Sequence, residues 1–128
     1  MLALASTSAM AEWKWAVEDA GIGIIVYVDP ASINKTGDMA KMSSLIDFYA
    51  AQGKTGPKFS SQKEQGEYDC KEKKSRTLTF SRASKKMAAG EIVFSDNTPS
   101  KWIPVVPGSA GEILWELACG KQSLPSFK

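Results

Sequence analysis

The chain is expected to be an α+β domain, an antiparallel β-sheet of about six strands with a C-terminal α-helix packed on one face and tethered by a disulfide. Three observations lead there. Period-two apolar patterns recur from residue 12 to residue 95 without a helical pattern between them. One capped helical pattern follows near the end. The two cysteines are Cys70, beside a strand pattern, and Cys119, in the last turn of that helix. Strands in a run and then a helix imply antiparallel pairing rather than βαβ units.

With 128 residues, 43% of them hydrophobic, the chain suits one domain around one core. Its 16 Lys and Arg nearly balance 14 Asp and Glu, so no strong field draws nucleic acid or an anionic membrane. No run approaches the roughly 18 apolar residues of a membrane-spanning helix. The first eleven residues, Met-Leu-Ala-Leu-Ala-Ser-Thr-Ser-Ala-Met-Ala, resemble the tail of a secretory signal with an Ala-x-Ala site at Ala9 and Ala11. Residues 1–11 are therefore assigned to a signal-peptide remnant, and residues 12–128 to a single domain. In an oxidising compartment two cysteines form a bridge, the alternative being two unrelated buried thiols. A Cys70–Cys119 bridge would close a loop of about 50 residues, for which chain entropy gives roughly 4 kcal/mol.

Taken in order, Glu12 to Val17 places Trp13, Trp15 and Val17 on one face of a half-buried strand. Ile24 to Val28 is apolar on both faces, as in a central strand, and Asp29-Pro30 ends it. Thr36-Gly37-Asp38 turns into a long strand, Met39 to Tyr49, with Ala40, Met42, Ile46 and Phe48 on one side and Lys41, Ser43 and Asp47 on the other. Ala50 to Lys58 is an exposed loop. Gly66 to Cys70 and Lys74 to Arg82 are strands, the latter setting Leu78 and Phe80 against Ser75, Thr77, Thr79 and Ser81. Glu91 to Ser95 turns Ile92 and Phe94 inward, and a Pro-rich coil then carries Trp102 to the helix. Ser109 and Glu112 make its capping box and Gly120 its C′ glycine. Its apolar stripe of Ala110, Ile113, Leu114, Leu117 and Ala118, widened by Trp115, has to be covered by the sheet or by a second subunit.

Enzymatic chemistry finds little footing. The chain has no histidine, hence no imidazole base or zinc ligand, and it carries no phosphate loop and no cysteine pair at metal spacing. No cofactor is expected. Glu64, Glu67, Asp69 and Asp47 are expected to be solvated acids of strand surfaces. The concentration of charge at Lys71, Lys73, Lys74 and Arg76 is either a guarded hairpin edge or a site for an acidic segment of a partner. Lys54 and Lys58 in the Gly-containing loop, and Trp102 in the coil, complete the candidate binding residues.

These residues resemble the bacterial surface-adhesin protein E-like family. The likeness runs from Trp13 to about Lys121, through Val26-Tyr27-Val28-Asp29-Pro30, Glu67-Tyr68-Asp69-Cys70, Gly90-Glu91-Ile92-Val93, Trp102 to Ser109 and Trp115 to Gly120. It implies an antiparallel sheet, a C-terminal helix tethered by a bridge between Cys70 and Cys119, and a place at the cell surface or in the periplasm of a Gram-negative-type bacterium. For the family's namesake it implies adhesion to host extracellular-matrix proteins, as a homodimer. No cysteine follows Ala11, which departs from a lipoprotein anchor. The chain is thus expected to be an exported, non-catalytic envelope binding protein. The alternative is a soluble periplasmic accessory protein or hydrolase inhibitor that binds another protein.

Overall fold

A computed structural model describes residues 11–125, so the signal-peptide remnant lies almost wholly outside the described residues. Eight strands form one sheet: β1 (Lys14–Asp19), β2 (Ile24–Val28), β3 (Asn34–Thr36), β4 (Met39–Gln52), β5 (Phe59–Asp69), β6 (Lys74–Ala83), β7 (Ile92–Asp96) and β8 (Ile103–Pro104). One helix, α1 (Ala110–Ala118), follows. Six strands lie side by side in the order β1-β2-β4-β5-β6-β7, with β3 added to β4 and β8 to β6. Every pairing is antiparallel. The two strands beyond the expected six span three and two residues, too short to show a period of two.

β-bulges change which side chains share a face, in β1, in β6 and between β6 and β7, where Phe94 pairs with Arg82 and Ile92 with the adjacent Ala83. In β1 the register slips between Trp15, opposite Tyr27, and Val17, opposite Val26. Trp15 and Val17 therefore stand on opposite faces rather than together, and Ala16 takes the buried position. In β6, Gln65 faces Thr79 while Gly66 faces Thr77, which leaves Leu78 as the extra residue. Beyond it the alternation inverts, so Phe80, opposite Glu64, shares the face of Ser75 and Thr77 instead of opposing it. Ile92 and Phe94 also depart from expectation: β7 is an edge strand, and they are exposed.

One sheet face and α1 share a core. Val28, Ala40, Met42 and Tyr68 are buried with Trp115, Leu117, Ala118 and Cys119 in a single cluster, which Ala16 and Val105 complete. Trp115 Nε1 donates to the Asp69 carbonyl at 2.9 Å, and Cys70 and Cys119 form the disulfide. Both helix ends close as the sequence signals. Ser109 Oγ accepts from Glu112 N at 3.2 Å. At the other end Gly120, at φ 74°, allows Lys121 N to reach Glu116 O at 2.7 Å and Gly120 N to reach Leu117 O at 3.3 Å.

The opposite face has its own buried centre, which contains polar groups: Leu45, Asp47, Ser61 and Ala83. The connection between β6 and β7 is bound to it. Asp47, expected to be solvated, is 5% exposed and accepts from Met87 N at 2.8 Å. Ser61 Oγ donates to Lys85 O at 2.6 Å and accepts from Ala88 N at 2.9 Å. Met87 and Ala88 are left-handed, at φ 58° and 61°. That conformation is costly for residues with a Cβ, and these side-chain contacts hold it.

Candidate functional site

Of the basic residues around 71–76, Lys71 and Lys73 lie on the turn between β5 and β6, and Lys74 and Arg76 at the start of β6. Asp69 Oδ1 accepts from Lys71 N at 3.0 Å and Glu72 N at 2.9 Å, which closes the turn around a left-handed Lys73 at φ 54°. The four candidates there differ in what their charges do. Lys73 Nζ lies 2.8 Å from Glu112 Oε2 and 5.4 Å from the Trp115 ring centroid, so it fastens the turn to the start of α1. Glu112 is held below the usual carboxylate pKa, first by that hydrogen bond from Lys73 and then by Gly108 N, which donates to Oε1 at 3.1 Å. Arg76 Nε donates to Glu67 Oε1 at 2.8 Å, and its guanidinium stacks 4.6 Å from the ring centroid of Trp102. Lys71 and Lys74 are exposed and form no ion pair among the described residues.

Trp102 is half-buried against Arg76. The segment after it runs along the basic turn: Ile103 pairs with Ser75, Pro104 with Lys74, and Val105 N donates to Lys73 O at 3.0 Å. Ile103 and Val106, 59% and 63% exposed, flank the buried Val105. Two uncommitted cations, a stacked Arg–Trp pair and two exposed aliphatics thus gather at one end of the sheet. Arg and Trp over an apolar patch is the composition that dominates protein interfaces.

Lys54 and Lys58 do not belong to this cluster. They occupy the β4–β5 connection, at the other end of the 11-residue β5, about 35 Å away at roughly 3.4 Å per residue. Lys58 Nζ donates to Gly53 O at 2.9 Å, and Lys54 borders a hollow with Phe59, Arg82 and Phe94. Arg82 fills this region, its guanidinium 4.5, 5.2 and 5.4 Å from the ring centroids of Phe59, Phe80 and Phe94.

One acid expected in solvent is not there. Glu64 is largely withdrawn from water on the face beneath α1, and burial raises its pKa despite hydrogen bonds from Thr77 and Gln62. The hint in sequence is the spacing Glu64, Gly66, Tyr68, which puts the acid on the face of a core tyrosine. The covering helix, far away in sequence, does the rest. No group of three or more metal-ligating side chains occurs among the described residues, and no described helix is long and apolar enough to cross a membrane.

The surface-adhesin protein E family matches residues 15–120. The chain belongs to that family. Two structures of Haemophilus influenzae protein E share its fold. One aligns with a TM-score of 0.63 at 9% identity, over 90% of this chain and 89% of that one. The other, crystal form II, aligns with a TM-score of 0.60 at 10% identity, over 88% and 98%. A third, protein E from a non-typeable strain, aligns with a TM-score of 0.53 at 11% identity, over 88% and 76%. No curated protein matches the chain. At 9 to 11% identity the likeness to these structures is one of fold.

Proposed function

We propose that this surface-adhesin E protein is an exported, non-catalytic binding module that grips a protein partner with the end of the sheet formed by Lys71, Lys74, Arg76, Trp102, Ile103 and Val106. The observation that carries the reading is the Arg76–Trp102 stack, 4.6 Å from guanidinium to ring, set between exposed cations and exposed aliphatics. Membership of the surface-adhesin protein E family supports a protein partner and an exposed place, and the partner class proposed for it is host extracellular-matrix proteins. Lys54 and Lys58 form a second, independent pole, suited to a different segment of a long partner or to the second protomer of a homodimer.

Binding to immobilised matrix proteins tests this. Lys71→Glu with Lys74→Glu should weaken capture at least tenfold at low salt and less at high salt, because exposed charges are screened over about 10 Å at 0.1 M. Trp102→Ala should weaken it at every salt concentration. Unchanged binding in both variants would remove this surface from consideration. Labelling only after outer-membrane permeabilisation, and not on intact cells, would move the partner to the periplasm.

A further inference from the structure

The sheet face beneath α1 carries polar side chains that an apolar core does not require. Ser44 on β4 stands opposite Glu64 on β5, and Thr77 Oγ1 on β6 donates to Glu64 Oε1 at 3.1 Å. Glu64, Gly66 and Tyr68 occupy alternate positions of the same strand face. A Cβ on Gly66 would come within 2.7 Å of the Tyr68 hydroxyl oxygen. The absence of that Cβ lets the tyrosine lie back along the strand and brings its hydroxyl toward Glu64.

These groups line a cavity of about 260 Å³ that Leu114 of α1 and Ile103 help to close. Ser44 and Tyr68 are 3% and 5% exposed, and neither hydroxyl hydrogen-bonds to a described residue. No buried side-chain polar atom lacks a partner among the described residues, so both hydroxyls open onto the cavity. The cations nearby are engaged elsewhere. Arg76 also lines the cavity, but its guanidinium sits on Glu67 and Trp102, and Arg82 gives its Nε to Gln62 and its face to three aromatic rings.

A carboxylate, two unpartnered hydroxyls and apolar walls match one chemistry. The geometry points to a binding site for a primary alkylammonium group, its three N–H donors shared among Glu64, Ser44 and Tyr68 and its alkyl stem against Leu114 and Ile103. The size agrees, since about 260 Å³ equals some nine water volumes at roughly 30 Å³ each, room for butylammonium or one lysine side chain. Burial raises the pKa of Glu64 by more than its hydrogen bonds and the charge of Arg82 lower it, and a bound ammonium offsets that desolvation.

The test is an amide NMR titration of the full chain with n-butylammonium, with Nα-acetyl-lysine N-methylamide and with n-pentanol, a neutral molecule of similar shape. Saturable shifts at Ser44, Glu64, Gly66 and Thr77 are expected with the ammonium ligands and not with the alcohol. Glu64→Gln should weaken the affinity at least tenfold and Tyr68→Phe several-fold. Saturation by butylammonium alone assigns the site to free amines, and saturation by both extends it to a lysine of a polypeptide. Shifts that never saturate, pentanol binding equally well, or a folded Glu64→Gln with unchanged affinity would overturn the assignment. If Glu64→Gln does not fold, unchanged affinity in Tyr68→Phe has the same force. The site adjoins the contact surface proposed above through Ile103 and Arg76, but neither Lys71 nor Lys74 lines it, so Lys71→Glu with Lys74→Glu should leave ammonium binding intact.

Discussion

The two faces of the sheet are closed by opposite means. Beneath α1 the cover is covalently fixed and packs through apolar side chains, beside the pocket of Ser44 and Glu64: Met42, Val28 and Trp115 share the core and Cys119 is bonded to Cys70. On the other face the cover is a loop, and what holds it is polar: Asp47 and Ser61 bind Met87 N, Ala88 N and Lys85 O. A helix with a broad apolar stripe satisfies its own backbone and needs only area and a tether. The 84–91 loop satisfies only part of its backbone internally, Lys85 N reaching Ala89 O and Ala89 N reaching Lys86 O, so the sheet presents buried polar groups to the rest. The first arrangement resists loosening through the unfolded state, whereas the second depends on individual hydrogen bonds.

Removing the tether should have the largest effect. Cys70→Ser with Cys119→Ser frees a loop with a sequence separation of 49 and should cost about 4 kcal/mol. Urea titration would show it as a lower midpoint, with exchange protection lost first in α1. A loss below about 1 kcal/mol would mean that apolar packing alone holds the helix. Next comes Asp47→Ala, which strands the Met87 N–H and should cost about 2 to 3 kcal/mol. Its signature is faster hydrogen exchange in residues 84–91 with α1 undisturbed. Equal loosening of both covers would show that the two faces are not independent.

The smallest effect concerns the Lys73–Glu112 pair at the rim of the apolar face. The folded-state pKa of Glu112 is depressed, so its stabilisation is present above the unfolded value near 4.5 and lost as pH falls through the lower folded value. Glu112→Gln should therefore lower Tm slightly at pH 7 and by less near pH 3. An equal loss at both pH values would assign the effect to packing instead of charge.

Much of this architecture was legible because it is local or covalent. The caps of α1 lie in Ser109, Glu112 and Gly120 themselves, and the strand pattern from Met39 to Tyr49 fixes β4. What escaped the sequence depends on partners distant along the chain. The bulges at Trp15–Val17 and at Leu78 are register events between two strands, and one strand's alternation does not announce them. Asp47 and Glu64 look like surface acids until the 84–91 loop and α1 are set over them. The basic candidates were legible as residues but not as a group, since nothing in the run from Lys54 to Arg76 shows that β5 separates two poles or that Glu112 claims Lys73.

The bridge has a mechanical side as well. A chain pulled from its two ends can lengthen only by what lies outside the closed loop, and residues 70–119 contain β6, β7, β8 and α1. About 170 Å of contour, at roughly 3.5 Å per residue, therefore stays locked while the bridge is intact. The basic turn, Arg76 and Trp102 all lie inside or at the edge of that segment. Tension on the two ends therefore cannot draw out the part of the chain that carries the proposed contact surface.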